Sequence, residues 1–294
     1  FHSVMDGQKI DFRVSTFPTA LGEKVAIRVL NPYAGLKTLD DLGVRDYHKK
    51  LILEAIQKPF GMILSTGPTG SGKTTTLYAI LQGLNKEDVN VVSLEDPVEY
   101  FIEGLNQSQV KPEIGYDFAA GLRQIVRQDP DIIMVGEIRD SETASLAVQA
   151  ALTGHLVVST LHTNDSVGVI PRLIDMKVEP YLLPASLILM MAQRLVGKLC
   201  DKCKQKVEAT GSLKEAIDKA ISKLPPELKE KYKKDKYEVY LPQGCKECNF
   251  KGIKGRMPLF EVLKMMPSLE EVILKDPSEA NLKLEAEKQG MISL

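Results

Sequence analysis

Residues 67–74 of this chain carry a pattern that binds phosphate groups. They read Gly-Pro-Thr-Gly-Ser-Gly-Lys-Thr, which fits G-x-x-x-x-G-K-[ST]. The three glycines permit backbone angles that bring successive N–H groups onto one phosphate oxygen. Lys73 would reach the β- and γ-phosphates, and the Thr74 hydroxyl would join the shell of Mg²⁺. A plain glycine-rich turn would explain the glycines but not the Lys-Thr pair, so we expect a nucleoside triphosphate site. The predicted nucleotide-binding residues are Gly67, Pro68, Thr69, Gly70, Ser71, Gly72, Lys73, Thr74 and Thr75.

A carboxylate follows a second apolar run. Residues 131–137 read Asp-Ile-Ile-Met-Val-Gly-Glu, and such a run downstream of a phosphate loop resembles a Walker B strand. The carboxylate of Glu137 would then meet Mg²⁺ directly or through water. Gly136 stands where an aspartate is commoner, which favours the water-bridged arrangement. The alternative is an acid that only caps the following helix.

Two histidines flank a further apolar run at residues 155–162. His162 lies at its polar end beside Thr160 and Asn164, which favours a role in sensing a phosphate. His155 stands alone before the run, and the residues by themselves favour a core histidine there.

The four cysteines form two C-x-x-C pairs, Cys200 with Cys203 and Cys245 with Cys248, separated by 41 residues. Because no secretory signal is present, we interpret them as ligands of a structural Zn²⁺ and not as disulfides. A redox pair is the alternative. The separation exceeds that of a usual zinc ribbon, so the intervening segment must carry its own structure.

Strands and helices are predicted to alternate around these residues. The phosphate loop lies between a strand at 60–66 and a helix over 75–81. Other strands are predicted at 91–94, 131–137 and 155–162, and helices at 46–57, 117–128 (N-capped by Asp117), 141–153, 166–176, 184–196 and 268–290, with two short ones inside 213–236.

A hairpin is predicted at residues 9–30, with its turn at 17–23. Arg13 and Arg28 lie on its polar faces, and pattern alone favours two solvated arginines. Two strands are too few to be stable alone. Since the chain also begins at Phe1 without a start methionine, we expect the hairpin to end a larger sheet domain.

Composition describes an ordinary globular protein of 294 residues, 44% hydrophobic and 26% charged, with a net charge of −1. The near-neutral charge argues against a nucleic-acid partner. The longest apolar run, around residues 182–192, is well short of the roughly 20 residues of a membrane span.

The motifs together resemble the secretion ATPase superfamily of type II secretion and type IV pilus assembly. Besides the phosphate loop, the resemblance covers residues 13–16 with 22–23, 94–100 (the Asp box, with Glu95 and Asp96), 127–131, 136–140 and 153–165 (the His box). The paired C-x-x-C motifs resemble the pilus-extension and secretion branches.

The resemblance implies a RecA-like core that works as a homo-hexamer with ATP, Mg²⁺ and structural Zn²⁺. It implies that Glu99 orients or activates the attacking water and that Glu137 acts on Mg²⁺. His155 and His162 match the His-box positions. Arg13 and Arg28 match arginines that the preceding domain brings onto the γ-phosphate.

The expected fold is therefore α/β, a RecA-like P-loop core with a partial sheet domain before it, a zinc-binding insertion and a C-terminal helical region. We expect the end of an N-terminal sheet domain at 1–32, a linker at 33–45, the ATPase core at 46–196, the tetracysteine module at 197–258 and the helical region at 259–294.

The expected function is ATP hydrolysis that drives assembly of pilus or pseudopilus subunits, from the cytoplasmic face of the inner membrane and through a platform protein there. Alternatives are a DNA-uptake pseudopilus motor, a RecA-like nucleic-acid translocase, a P-loop kinase and a nucleotide-gated scaffold that does not cleave ATP.

Overall fold

The computed structural model describes residues 2–5, 8–30 and 37–294. Its first part is an antiparallel sheet of β1 (His2–Met5), β2 (Gln8–Thr19) and β3 (Gly22–Leu30). The predicted hairpin is present, but its turn occupies only residues 20–21, so the wide turn over 17–23 is wrong. Gly22 has a φ of +131°, a conformation open mainly to glycine, and it lets the hairpin close within two residues.

The first part of the linker predicted at 33–45, residues 33–36, lies outside the described residues. Of the remaining residues, 39–43 form turns. The elements that follow are α1 (Asp46–Ile56), β4 (Gly61–Thr66), α2 (Lys73–Leu84), β5 (Val91–Glu95), β6 (Asn106–Gln109), α3 (Phe118–Ile125), β7 (Ile132–Val135), α4 (Ser141–Leu152), β8 (Leu156–Leu161), α5 (Val169–Asp175), α6 (Leu183–Ser186) and β9 (Leu187–Leu199). After these come β10 (Gln205–Glu208), α7 (Gly211–Ser222), α8 (Pro226–Tyr232), β11 (Glu238–Leu241), β12 (Ile253–Lys264), α9 (Pro267–Lys275) and α10 (Glu279–Lys288). Short 3₁₀ helices lie at Pro112–Ile114, Pro180–Leu182 and Lys246–Cys248.

The central sheet has the strand order β12-β9-β4-β8-β7-β5-β6. Strands β9 to β6 in that order run parallel, and β12 is antiparallel to β9 at the edge. Alternate residues of β4 face opposite sides: Ile63 packs with α1 and α2, whereas Leu64 packs with α3 and α4. Helices thus cover both faces, as parallel sheets require, and the predicted α/β class is confirmed.

The helix predicted at 184–196 is wrong. Only Leu183–Ser186 is helical, and Leu187–Leu199 is strand β9, which pairs with β4 and β12. A continuous apolar run reads alike as a buried strand and a buried helix. β9 crosses the boundary expected at 196, and β12 crosses the one expected at 258.

The segment between the cysteine pairs has its own structure, as predicted. It holds α7, α8 and the antiparallel pair β10 and β11. Ala209, Ile221 and Tyr237 form a small apolar core within it.

Candidate functional site

A cleft of about 610 Å³ lies at the carboxyl edge of the central sheet. Strands β4, β8, β7 and β5 are adjacent and parallel, so the segments that follow them meet at this edge. The predicted site residues that line the cleft are Arg28, Thr69, Gly70, Ser71, Gly72, Lys73, Thr74, Thr75, Glu95, Asp96, Glu99, Glu137 and His162. Predicted site residues that are up to 134 positions apart are thus brought together, from Arg28 to His162.

Two glycines of the phosphate loop have no room for a side chain. Gly67 has a φ of +139°, and a Cβ there would lie 2.4 Å from the carbonyl oxygen of Gln193. Gly72 has a φ of +90°, and its Cβ would lie 2.9 Å from Nε2 of the same glutamine. The loop therefore needs glycine for both backbone angle and close packing.

Gln193 packs against the phosphate loop, and no sequence motif predicted this contact. Its side chain is only 1% exposed and accepts a hydrogen bond from Thr76 Oγ1 at 2.8 Å. It lies on β9, which pairs with β4 immediately before the loop. Because β9 was predicted to be a helix, no pattern could place Gln193 there.

Lys73 lies inside the loop, and its side chain suits a phosphate ligand. It is 8% exposed, and its Nζ donates to the carbonyl oxygens of Gly67 at 2.8 Å and Pro68 at 3.3 Å. Burial lowers the pKa of Lys73, while the negative charge of Glu137 opposes that change. Ser71 Oγ is buried and has no hydrogen-bond partner among the described residues. An ammonium and a hydroxyl are thus positioned beside the loop that the motif predicts to bind phosphate.

Glu137 lies across the cleft between the side chains of Arg139 and His162. Its carboxylate accepts a hydrogen bond from Arg139 Nη2 at 2.5 Å and lies 3.1 Å from His162 Nε2. Burial raises the pKa of Glu137, but Arg139 and His162 outweigh burial and hold it below its usual value. The carboxylate is therefore ionised at neutral pH and can serve a cation. Thr74, the other residue predicted to serve Mg²⁺, lines the same cleft.

Gly136 explains why no aspartate precedes Glu137. Its N–H donates to the carbonyl oxygen of Leu94 at 2.7 Å, and a Cβ at this position would lie 3.2 Å from the same oxygen. A larger residue would press β7 away from β5, so the position favours glycine.

Glu99 lies on the segment after β5, half-buried at the cleft. Its backbone N–H donates to the hydroxyl of Tyr78 at 3.2 Å. No motif in the sequence assigned a role to Tyr78 or predicted this contact.

Arg28 lines the cleft from the N-terminal sheet. Arg13 is its direct cross-strand partner, so both side chains lie on the same face of that sheet. Arg13 does not line the cleft itself.

His155 is not brought to the cleft. It precedes β8, at the opposite edge of the sheet, and its Nδ1 lies 2.9 Å from the carbonyl oxygen of Ala150 in the last turn of α4. It thus satisfies a carbonyl at a helix end.

The four cysteine sulfurs lie within 4.8 Å of one another. The Sγ atoms of Cys200 and Cys245 are 3.9 Å apart, and those of Cys203 and Cys248 are 3.8 Å apart. Four sulfurs arranged tetrahedrally at about 2.3 Å from Zn²⁺ would be separated by roughly 3.8 Å. The backbone N–H groups of Cys245 and Gly252 each donate to Cys248 Sγ at 3.2 Å, which favours its thiolate form. The residues therefore fit a structural zinc ion.

None of the helices in the described part of the chain has the length and apolar character needed to cross a membrane.

The structure has the same fold as two solved ATPases. The Legionella pneumophila ATPase DotB matches with a TM-score of 0.68 and 24% identity, over 99% of this chain and 69% of that chain. The pilus retraction motor PilT with bound ADP matches with a TM-score of 0.64 and 27% identity, over 100% of this chain and 74% of that chain.

Sequence comparison identifies closer relatives. The type IV pilus assembly ATPase PilB of Myxococcus xanthus is 47% identical over 288 residues, 98% of this chain and 49% of that protein. The type II secretion system protein E of Pseudomonas aeruginosa is 46% identical over 287 residues, 97% of this chain and 54% of that protein. The chain thus spans about half the length of these relatives. The sequence model of one family, described as type II/IV secretion system protein, matches residues 1–293. The chain therefore belongs to the type II/IV secretion system protein family.

Proposed function

We propose that the protein hydrolyses ATP to ADP and phosphate and uses the cycle to assemble type IV pilus or type II secretion pseudopilus subunits. One observation carries this proposal: the phosphate loop, Glu99, Glu137 and Arg28 line the same cleft. The names of its relatives, a type IV pilus assembly ATPase and a type II secretion system protein E, support the pathway.

In the proposed reaction, the N–H groups of the phosphate loop hold the β- and γ-phosphates, and Lys73 leaves its carbonyl partners to bind them. Thr74 and Glu137 would hold Mg²⁺, which would offset negative charge on the phosphate oxygens. Glu99 orients the attacking water and accepts its proton. Phosphoryl transfer needs little covalent help from the protein, so positioning and charge supply most of the rate.

Arg13 and Arg28 would complete the site when the N-terminal sheet closes on the cleft. A guanidinium can contact two oxygens at once and stays charged, which suits the γ-phosphate in the transition state. Since both arginines are on one mobile domain in this proposal, closure would couple hydrolysis to movement. His162 beside Glu137 would sense the state of the same cleft.

The proposed working assembly is a homo-hexamer at the cytoplasmic face of the inner membrane, attached through a platform protein. The tetracysteine module would bind one structural Zn²⁺ and take no part in the chemistry.

The test is ATP turnover by the natural full-length protein and two variants. We expect Glu99→Gln to bind ATP but to release phosphate only at a small residual rate, and Lys73→Ala to lose both nucleotide binding and turnover. Full turnover in Glu99→Gln would contradict the proposed role of that acid. Turnover that rises many-fold with DNA would instead favour a nucleic-acid translocase.

A further inference from the structure

Tyr78 links the helix after the phosphate loop to the segment that carries Glu99. It lies on α2, five residues after Lys73, and is 2% exposed. Its hydroxyl donates to a carboxylate oxygen of Glu95 and accepts the backbone N–H of Glu99 at 3.2 Å. Burial raises the pKa of Tyr78, and the nearby charge of Glu95 adds to that shift. The hydroxyl therefore stays protonated and can make both contacts.

Gln107 fixes the same segment from the other side. It lies on β6, and its Nε2 donates to Glu95 Oε1 at 3.1 Å and to the carbonyl oxygen of Tyr100 at 2.9 Å. Its side-chain carbonyl accepts the N–H of Ile102 at 2.9 Å. The backbone N–H of Glu99 is thus bound by the phenol of Tyr78, and the next carbonyl oxygen, that of Tyr100, by the side-chain amide of Gln107.

Glu95 joins these two side chains. It is 2% exposed, and Ser93 Oγ also donates to it, at 2.6 Å. Both carboxylate oxygens are therefore occupied by donors from the protein. Burial raises the pKa of Glu95, and the hydrogen bonds from Ser93, Tyr78 and Gln107 oppose that rise. No ion pair to Glu95 is found among the described residues. A buried carboxylate without a cation is costly unless its hydrogen bonds are all made, so its surroundings suit a fixed structural acceptor better than a base.

We propose that Tyr78 and Gln107, joined through Glu95, are positioning residues that hold Glu99 at the cleft and tie it to the phosphate-loop helix. The inference rests on the proposed role of Glu99 in activating water. Because α2 begins at Lys73, a shift of this helix on nucleotide binding reaches the Glu99 backbone through a single side chain. The ring of Tyr100 packs edge-on against that of Tyr78, with centroids 5.6 Å apart, which limits other movements of the segment.

The test is Tyr78→Phe in the full-length protein, which removes one oxygen atom and keeps the ring. We expect kcat to fall roughly 10- to 100-fold, since misplacing a catalytic group by about 1 Å can cost that much. Affinity for a non-hydrolysable ATP analogue and the thermal unfolding midpoint should stay near the wild-type values.

Tyr47→Phe is the matched control, because the Tyr47 hydroxyl contacts the carbonyl oxygen of Gly290 at 3.4 Å, away from the cleft. It should leave kcat unchanged.

A double variant separates positioning from general damage. If Tyr78 acts through Glu99, adding Tyr78→Phe to Glu99→Gln should cause no further loss in the release of radiolabelled phosphate. A further loss of the full size would overturn the inference. So would a normal kcat in Tyr78→Phe, or a parallel fall of kcat and nucleotide affinity.

Gln107→Ala tests the same network if Tyr78→Phe does not fold, because Gln107 lies on an edge strand. We expect the same selective loss of kcat, and an unchanged kcat would contradict the inference. Gln243→Ala in the cysteine module is its control. Full activity in Glu99→Gln would instead refute the proposed role of Glu99. A failure of the proposed function can therefore be told apart from a failure of the positioning inference.

Discussion

His162 Nε2 lies 3.1 Å from a carboxylate oxygen of Glu137, on the side opposite the contact with Arg139. Both contacts lower the pKa of Glu137 against the opposing effect of burial. Removing either one should therefore raise that pKa and protonate the acid at a higher pH.

We accordingly expect His162→Ala to move the acid limb of the pH profile of kcat/KM upward. Arg139→Gln should move it further, since Arg139 has the larger effect on Glu137. The measurement is kcat/KM against pH, with circular dichroism at each pH to exclude unfolding. An acid limb that stays in place in both variants would show that Glu137 does not control activity.

Lys73→Ala should abolish nucleotide binding and turnover while the fold survives, because the Nζ contacts in the structure are to two loop carbonyls. Binding of a fluorescent ATP analogue and a thermal melt measure the two effects. Lys86→Ala removes an exposed lysine just beyond α2 and serves as the control. Unchanged turnover in Lys73→Ala would refute the nucleotide site.

Arg28→Ala should leave ATP affinity near normal and slow hydrolysis by roughly 10³-fold or more, the effect of arginine fingers in other phosphoryl-transfer enzymes. Arg13→Ala should act in the same direction, because the sheet register aligns the two arginines. Arg28→Lys should restore only part of the rate, since lysine cannot contact two oxygens in one plane. Equal losses of affinity and rate would point to a structural role instead.

Gly67→Ala should destabilise the loop and weaken ATP binding, because its Cβ would lie 2.4 Å from the carbonyl oxygen of Gln193. Gly83→Ala on α2 is the control, since a Cβ there would meet no atom within 4 Å apart from its own chain neighbours and helix backbone. It should stabilise the protein by about 0.5–1 kcal/mol through helix propensity. Chemical denaturation measures both changes, and equal effects would contradict the packing at the loop.

Cys248→Ser should release zinc and lower the unfolding temperature of the cysteine module while the cleft still binds nucleotide. Structural zinc sites contribute on the order of 10 kcal/mol to the folding of small domains. Metal analysis should give one zinc per wild-type chain. A wild-type protein that binds no zinc but folds normally would contradict the site.

Local motifs allowed the sequence to predict much of the cleft. The phosphate loop, Glu137 and the four cysteines each combine residue types and spacings that few other roles require. Asp117 was likewise placed correctly, since its side chain accepts from the N–H of Ala120 at 2.8 Å and caps α3.

Residues that act through tertiary contacts left no such signal. Gln193 supports the loop only because β9 pairs with β4, and a buried apolar run does not distinguish strand from helix. In the sequence, Tyr78 fits the apolar pattern of a helix and shows no sign of a special role. Its contacts with Glu95 and Glu99 depend on how α2 packs against β5 and the segment after it. The His-box resemblance placed His155 and His162 together, whereas the structure brings only His162 to the cleft.

Strand β9 continues unbroken from Gln193 beneath the phosphate loop to Leu199, next to Cys200. These six steps of extended backbone span roughly 20 Å, and hydrogen bonds to β12 reinforce them along most of that distance. A paired strand resists stretching, so β9 is a stiff connection between the phosphate loop and the cysteine module, although its pairing with β12 has a bulge between Ile253 and Arg256. In the proposed cycle we therefore expect the cysteine module to move together with the central sheet, so that any force passed to a partner starts from this connection.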